Sequence, residues 1–212
     1  ILKIMPIGDV GANYGSPIVF LFFGGFVMAL ALEKVKLHKR IALNIIRLTG
    51  TTANKVVLGF MIATAVLSMW ISNTASTVVM LPIAMSVINL LIEDEDGFTK
   101  RDRNFALSVM LGIAFAANAG GIATVIGTPP NSVLIGLLEN EYHIEISFLK
   151  WMIIGLPFSL IMISICYFVL VKVFFPTQNL KFKASRTIIQ DELLKLGPTS
   201  GKEKMVLVIS NG

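Results

Sequence analysis

Apolar residues run without a charge from Val56 to Ile71 and again from Ala75 to Ile92, and between them lies Ser72-Asn73-Thr74. Built as helices, these runs are about 24 and 27 Å long, against a hydrocarbon core of about 30 Å. Two half-length helices meeting at hydroxyl and amide side chains predict a re-entrant hairpin with its tip inside a membrane. Non-helical backbone is tolerated at that depth only when it is buried in protein or lines an aqueous cavity. The tip is therefore the first candidate for a binding site.

The same pattern predicts the other elements. Pro17–Leu32 reads as a first span, and 33–55 as an interfacial amphipathic helix with Leu37, Ile41, Ile45 and Leu48 at helical spacing among basic residues. Asn104–Asn118 is apolar but only about 22 Å long. It breaks at Ala119–Asn131, rich in Gly, Thr and Pro, and a short apolar piece, Ser132–Leu138, follows. That is the pattern of a broken transmembrane helix with an unwound centre. Glu139–Ser147 is an acidic loop, and Phe148–Phe175 is long enough to span with tilt. The polar stretch Pro176–Lys204 contains a short amphipathic helix at Thr187–Leu196, and Met205–Ile209 starts another span. Three parts result: 1–55 with the first span and interfacial helix, 56–138 with the hairpin and broken helix, and 139–212 with a further span and an interfacial segment. The chain opens at Ile1 without a methionine and closes as an apolar run begins, so a piece of a longer protein is expected.

Composition narrows the class. With 55% hydrophobic and 15% charged residues and a mean hydropathy of +0.78, this is an all-α integral membrane protein rather than a soluble domain. The net charge of +5 does not imply a nucleic-acid partner, because the charges flank the apolar segments. Lys and Arg number six in 33–55, three in 93–103 and seven in 172–204, sixteen of eighteen, whereas 139–147 has none. The positive-inside rule puts all three basic segments on the cytoplasmic face. That holds only if 56–92 enters and leaves on one face while 17–32, 104–138 and 148–175 each cross. A two-span hairpin gives the same charge pattern. The expected location is a cell membrane, with many passes. The lone Cys166, inside an apolar helix, rules out a disulfide framework.

Candidate chemistry lies in the polar breaks. Sodium prefers hard oxygen ligands, and neutral ones limit the cost of an intramembrane charge. Ser68 and Ser72, at i and i+4, are expected on one helical face, and Asn73 adds an amide oxygen. Gly120 and Gly121 are expected to expose backbone in the second break, where Asn118, Thr124, Thr128 and Asn131 offer side chains. The amides that open the helix after Asn73 and Thr74 suit a carboxylate. Isolated Ser and Thr side chains commonly just bond back to helix carbonyls, but a cluster with paired breaks favours a site. Gly121–Gly127 lacks the Lys of a phosphate loop, no His-Glu-x-x-His pair exists, and Glu93–Asp96 reads as a solvated run. No catalytic constellation is present, so an enzyme is not expected.

Trp70-Ile71-Ser72-Asn73-Thr74-Ala75 with Met80-Leu81-Pro82-Ile83, followed by Gly120-Gly121-Ile122-Ala123-Thr124-Val125-Ile126-Gly127-Thr128-Pro129-Pro130-Asn131, resembles the divalent anion:sodium symporter family. The likeness covers about 17–175. It implies two inverted repeats, each with a re-entrant hairpin tipped by Ser-Asn-Thr, in a homodimer that works by an elevator-like movement. It implies sodium as the coupling ion, held by Ser68, Ser72, Asn73 and Gly121, and a substrate carboxylate held by Ser72, Asn73 and Thr74. The hydroxyl of Thr124 has no place in that set. Only one Ser-Asn-Thr occurs here, so the chain is expected to hold the first sodium site and half of the substrate site.

The expected function is a secondary carrier that couples sodium entry to uptake of a dicarboxylate such as succinate. Sulfate or another small anion, or a scaffold without transport, are the alternatives. Proton coupling would need intramembrane acids, and none lies in 56–92 or 104–138.

Overall fold

The computed structural model describes residues 17–50, 52–92, 99–176, 190–191 and 193–210. Their regular elements are helices: α1 Pro17–Lys34, α2 Leu37–Thr49, α3 Ala53–Ser68, α4 Asn73–Ile92, α5 Lys100–Ile122, α6 Pro129–Tyr142, α7 Phe148–Phe168 and α8 Gly201–Ser210. A π-helical stretch, Val169–Phe174, prolongs α7.

Local chemistry sets several of these boundaries. Thr99 and Asp102 form a reciprocal box at the start of α5: the Asp102 amide donates to Thr99 Oγ1 at 3.3 Å and the Thr99 amide to Asp102 Oδ2 at 2.8 Å. Ser200 and Glu203 do the same for α8, at 3.2 and 2.7 Å. Ser147 Oγ caps α7 by accepting from the Lys150 amide at 3.4 Å. His143, in the left-handed region at φ 55°, closes α6.

α3 is the centre. Eleven of its 16 residues are buried, a helix apolar all round and therefore covered on most sides. Val56, Val57, Phe60 and Met61 share the core with Phe105, Val109 and Ile113 of α5, Met80 and Val87 of α4, and Leu43 and Ile46 of α2. α1 and α7 are peripheral: Phe20, Phe23 and Leu30, and Ile153, Ile154, Leu160 and Phe168, are all exposed. Apolar faces of this extent are those of helices facing lipid. In lipid the association of helices rests on close packing rather than on escape from water. Small residues at the α3–α5 contact therefore matter: a Cβ on Gly120 would strike the backbone of Ala65, and one on Gly112 would meet Met61 Cγ at 3.0 Å.

The structure shifts several expectations. The amphipathic stretch is not one helix from 33 to 55. It turns at Lys36 (φ 57°) and at Gly50 (φ 112°), and only α2 lies between. Its inner face is Leu37, His38, Ala42, Leu43 and Ile46, whereas Leu48 is 80% exposed. Packing on α3 rotated the helix away from the face that sequence spacing marked. The first half of the broken helix continues through Gly120 and Gly121 to Ile122, because the small residues lie against α3 and stay helical. The second half starts at Pro129, and Glu139–Tyr142 extends it into the expected loop. Of the helix expected at Thr187–Leu196, residues 187–189 and 192 lie outside the described set and 190–191 and 193–195 are helical; the 93–96 acidic run and the first sixteen residues also lie outside it.

Gly120→Ala should force α3 and α5 apart, since backbone atoms cannot rotate away. Over-packing of this kind costs about 1–3 kcal/mol, so thermal unfolding in detergent should begin several degrees lower. Gly24→Ala, with nothing within 4 Å of the new atom, should cause no loss.

Candidate functional site

The hairpin tip forms because α3 stops at Ser68 and α4 starts at Asn73, leaving Met69–Ser72 to turn the chain. Ser72 caps α4: its carbonyl accepts from the Ser76 amide at 3.0 Å and its Oγ from the Ala75 amide at 3.2 Å. The hydroxyls of Ser76 and Thr77 donate to the Asn73 carbonyl at 2.9 and 2.8 Å. Inside the tip, Ser68 Oγ lies 2.7 Å from Asn73 Oδ1 and 2.7 Å from the carbonyl oxygen of Ala117 on α5. Asn73 Nδ2 donates to Asn118 Oδ1 at 3.0 Å. A Cβ on Gly121 would collide with Asn73 Oδ1, so the amide occupies space that only glycine leaves open.

Three oxygens therefore converge on one point. The Ser68 hydroxyl has one proton, and neither a carbonyl nor an amide oxygen has any. One of the two 2.7 Å contacts thus lacks a proton between its oxygens. An excess of neutral oxygen lone pairs in a buried corner suits a hard monovalent cation such as sodium. Among the described residues no group of three His, Cys, Asp or Glu side chains could hold a metal.

The break after Ile122 is tied to the tip by side chains. Thr124, fully buried, donates from Oγ1 to the Met69 carbonyl at 2.5 Å and accepts from the Gly127 amide at 3.0 Å. Asn131 Nδ2 donates to the carbonyls of Gly121 (3.0 Å) and Thr124 (2.7 Å), and Ser132 Oγ to that of Val125 (3.0 Å). From α7, Trp151 Nε1 donates to the Ile122 carbonyl at 2.9 Å, and Phe148 stands 6.5 Å from the ring of Trp70. Irregular backbone here is satisfied within the protein, as the low-dielectric surroundings demand.

The predicted residues do not all meet. Ser68 and Ser72 do not share a helical face, because the helix ends between them: Ser68 is buried and Ser72 exposed. Asn73, rather than Ser72, reaches Ser68. Gly121 lies beside Asn73 inside α5, with its carbonyl held by Asn131. Thr74 and Ser72 are exposed at the start of α4, where the helix dipole is positive. The first turn of α6 cannot compete for an anion, because Pro129 and Pro130 have no amide protons. Sequence reasoning missed the Ala117 carbonyl, a backbone atom with no side-chain signature. It also gave Thr124 too small a part, since its hydroxyl bolts the tip to the break.

Comparison with known proteins supplies the family. The family model for the sodium:sulfate symporter transmembrane region matches residues 2–212. Over 216 residues the chain is 38% identical to the sodium-dependent dicarboxylate transporter SdcS of Staphylococcus saprophyticus, a match covering 98% of this chain and 42% of that protein. The SdcS of Staphylococcus aureus shows the same identity and coverage. The chain thus spans 42% of the length of these relatives. Helical, with apolar faces turned outward and a polar break at its centre, it is a multi-pass membrane protein and belongs to the sodium:sulfate symporter transmembrane family.

Proposed function

We propose that this chain forms the first sodium site and half of the anion site of a sodium-coupled dicarboxylate carrier. One observation carries the reading: Ser68 Oγ, Asn73 Oδ1 and the Ala117 carbonyl converge beside Gly121 with more acceptors than protons. Sodium takes these oxygens, joined by Ser72 when its hydroxyl turns inward, and Gly121 keeps the space clear. The exposed hydroxyls of Ser72 and Thr74 and the first turn of α4, with Asn73 between them, receive one carboxylate of the substrate. A cation a few ångströms from that carboxylate offsets its charge, so ion and anion bind together. This is the physical basis of coupling here.

The remaining features follow the family resemblance. The hairpin α3–α4 enters from the cytoplasmic side and returns to it. A second, inverted repeat supplies a second sodium site and the other half of the anion site, and a homodimer moves the bound substrate by an elevator-like displacement. Dicarboxylate is preferred over sulfate because the SdcS relatives are named for dicarboxylate transport.

Sodium dependence of succinate uptake by the full-length gene product tests the site. Asn73→Ala removes a ligand that no neighbour replaces, at about 1–3 kcal/mol, so the sodium concentration for half-maximal uptake should rise about 5- to 150-fold. Gly121→Ala should act in the same direction by displacing the Asn73 oxygen. Normal sodium dependence in both, at matched surface expression, rules the site out. Excess unlabelled succinate should compete with the labelled substrate, and sulfate should compete poorly.

Topology has its own test. With Cys166 replaced by Ser, single cysteines at Lys36, Arg101 and Lys202 should react with an impermeant maleimide only from the cytoplasmic side. One at Asn140 should react only from outside. Labelling of Lys36 and Arg101 positions from opposite faces contradicts the re-entrant hairpin.

A further inference from the structure

Which end of the Asn73 amide faces Ser68 decides whether the oxygen cluster can take a cation at all. With Oδ1 toward Ser68, the cluster has one proton among three oxygens and an unmet demand for positive charge. With the amide turned over, Nδ2 would donate to Ser68 Oγ, and the Ser68 hydroxyl would donate to the Ala117 carbonyl. The Ser68–Ala117 corner would then be satisfied without a cation and closed to sodium, while Asn73 Oδ1 would be set against Asn118 Oδ1.

Asn118 disfavours that reversal. Its Nδ2 donates to the Ala114 carbonyl one turn earlier on α5, at 3.1 Å. An amide has its donor on one side and its acceptor on the other, so Asn118 Oδ1 is left facing Asn73. Asn73 Nδ2 is the protein donor that meets it, at 3.0 Å, in competition with solvent at this exposed position. Orientation passes from a helix carbonyl through two amides to the cation corner, as hydrogen-bond networks fix amide ends generally.

We infer that Asn118 is a positioning residue for sodium: it holds the Asn73 amide with its oxygen toward Ser68 and keeps the site in its acceptor-rich state. The inference rests on the sodium-site reading above. Asn118 is exposed in the described structure, so it can be changed with little effect on packing.

The test compares Asn118→Leu and Asn118→Asp in the full-length gene product, with Asn73→Ala alongside, by sodium-dependent uptake of labelled succinate. Leucine keeps asparagine's branching at Cγ but has neither acceptor nor donor. Asn118→Leu should raise the sodium concentration for half-maximal uptake about 2- to 10-fold, the worth of one hydrogen bond. Its half-saturating succinate concentration at saturating sodium should stay within about twofold of the original. Aspartate is acceptor-only and still engages Asn73 Nδ2, so Asn118→Asp should restore sodium dependence to the original value or below it. Equal impairment in the leucine and aspartate variants overturns the inference, because it points to a packing role. A change in succinate saturation alone, with sodium dependence intact, overturns it by making Asn118 a substrate contact. If Asn73→Ala is impaired and Asn118→Leu is not, the sodium site stands and the positioning role falls. If neither is impaired, both fall.

Discussion

The closeness of α3 and α5 is the constraint on which the site depends. Gly120 lets the α5 backbone lie directly against that of Ala65. One turn along α3, Ser68 therefore reaches a carbonyl of the neighbouring helix at 2.7 Å. The next residue of α5, Gly121, leaves the space that the Asn73 amide fills, and Gly127 folds close enough that a Cβ there would stand 2.5 Å from the Gly121 carbonyl. These are consecutive consequences of missing side chains. In lipid, where apolar burial adds little, such contacts are the main source of helix association.

Close packing alone would not hold an irregular tip and an irregular break together. Hydrogen bonds do that, and they come from side chains buried with them: Thr124 to Met69, Asn131 to Gly121 and Thr124, Ser132 to Val125, Trp151 to Ile122. Each satisfies a carbonyl that a continuous helix would have satisfied itself. The result is non-helical backbone that is hydrogen-bonded within the protein and largely buried, apart from the tip itself, where Ser72, Thr74 and Asn118 are exposed. In the proposed sodium site, Ser68, Asn73 and the Ala117 carbonyl already stand together on this frame.

Far from the site, α2 is braced to the segment before α8. Arg40 Nε pairs with Glu203 Oε1 at 3.3 Å, with both side chains largely buried, and Arg40 Nη2 donates to the Gly197 carbonyl at 2.9 Å. The same Glu203 caps α8. α2 thus holds the start of the last described helix as well as the flank of α3. This gives the hairpin a support independent of α5.

Periodicity and composition were enough to read the class, the order of most helices, the turn between α3 and α4 and the presence of a break, because each depends on runs of residues whose chemistry is visible in one dimension. The Ser72-Asn73-Thr74 and Gly-rich motifs marked where to look for the same reason. Tertiary structure decided the rest. Gly120 and Gly121 look like helix breakers in sequence, yet they are helical because α3 packs on them and supplies the contacts that their missing side chains do not. Ser68 and Ser72 have helical spacing, but the helix ends between them, where the tip meets Thr124 and Phe148. The inner face of α2 was misjudged because Leu48 and Leu43 are equally apolar, and only the position of α3 distinguishes them. The Ala117 carbonyl and the handedness of the Asn73 amide have no sequence signal at all: backbone oxygens are identical at every residue, and an amide's direction is fixed only by the groups that surround it.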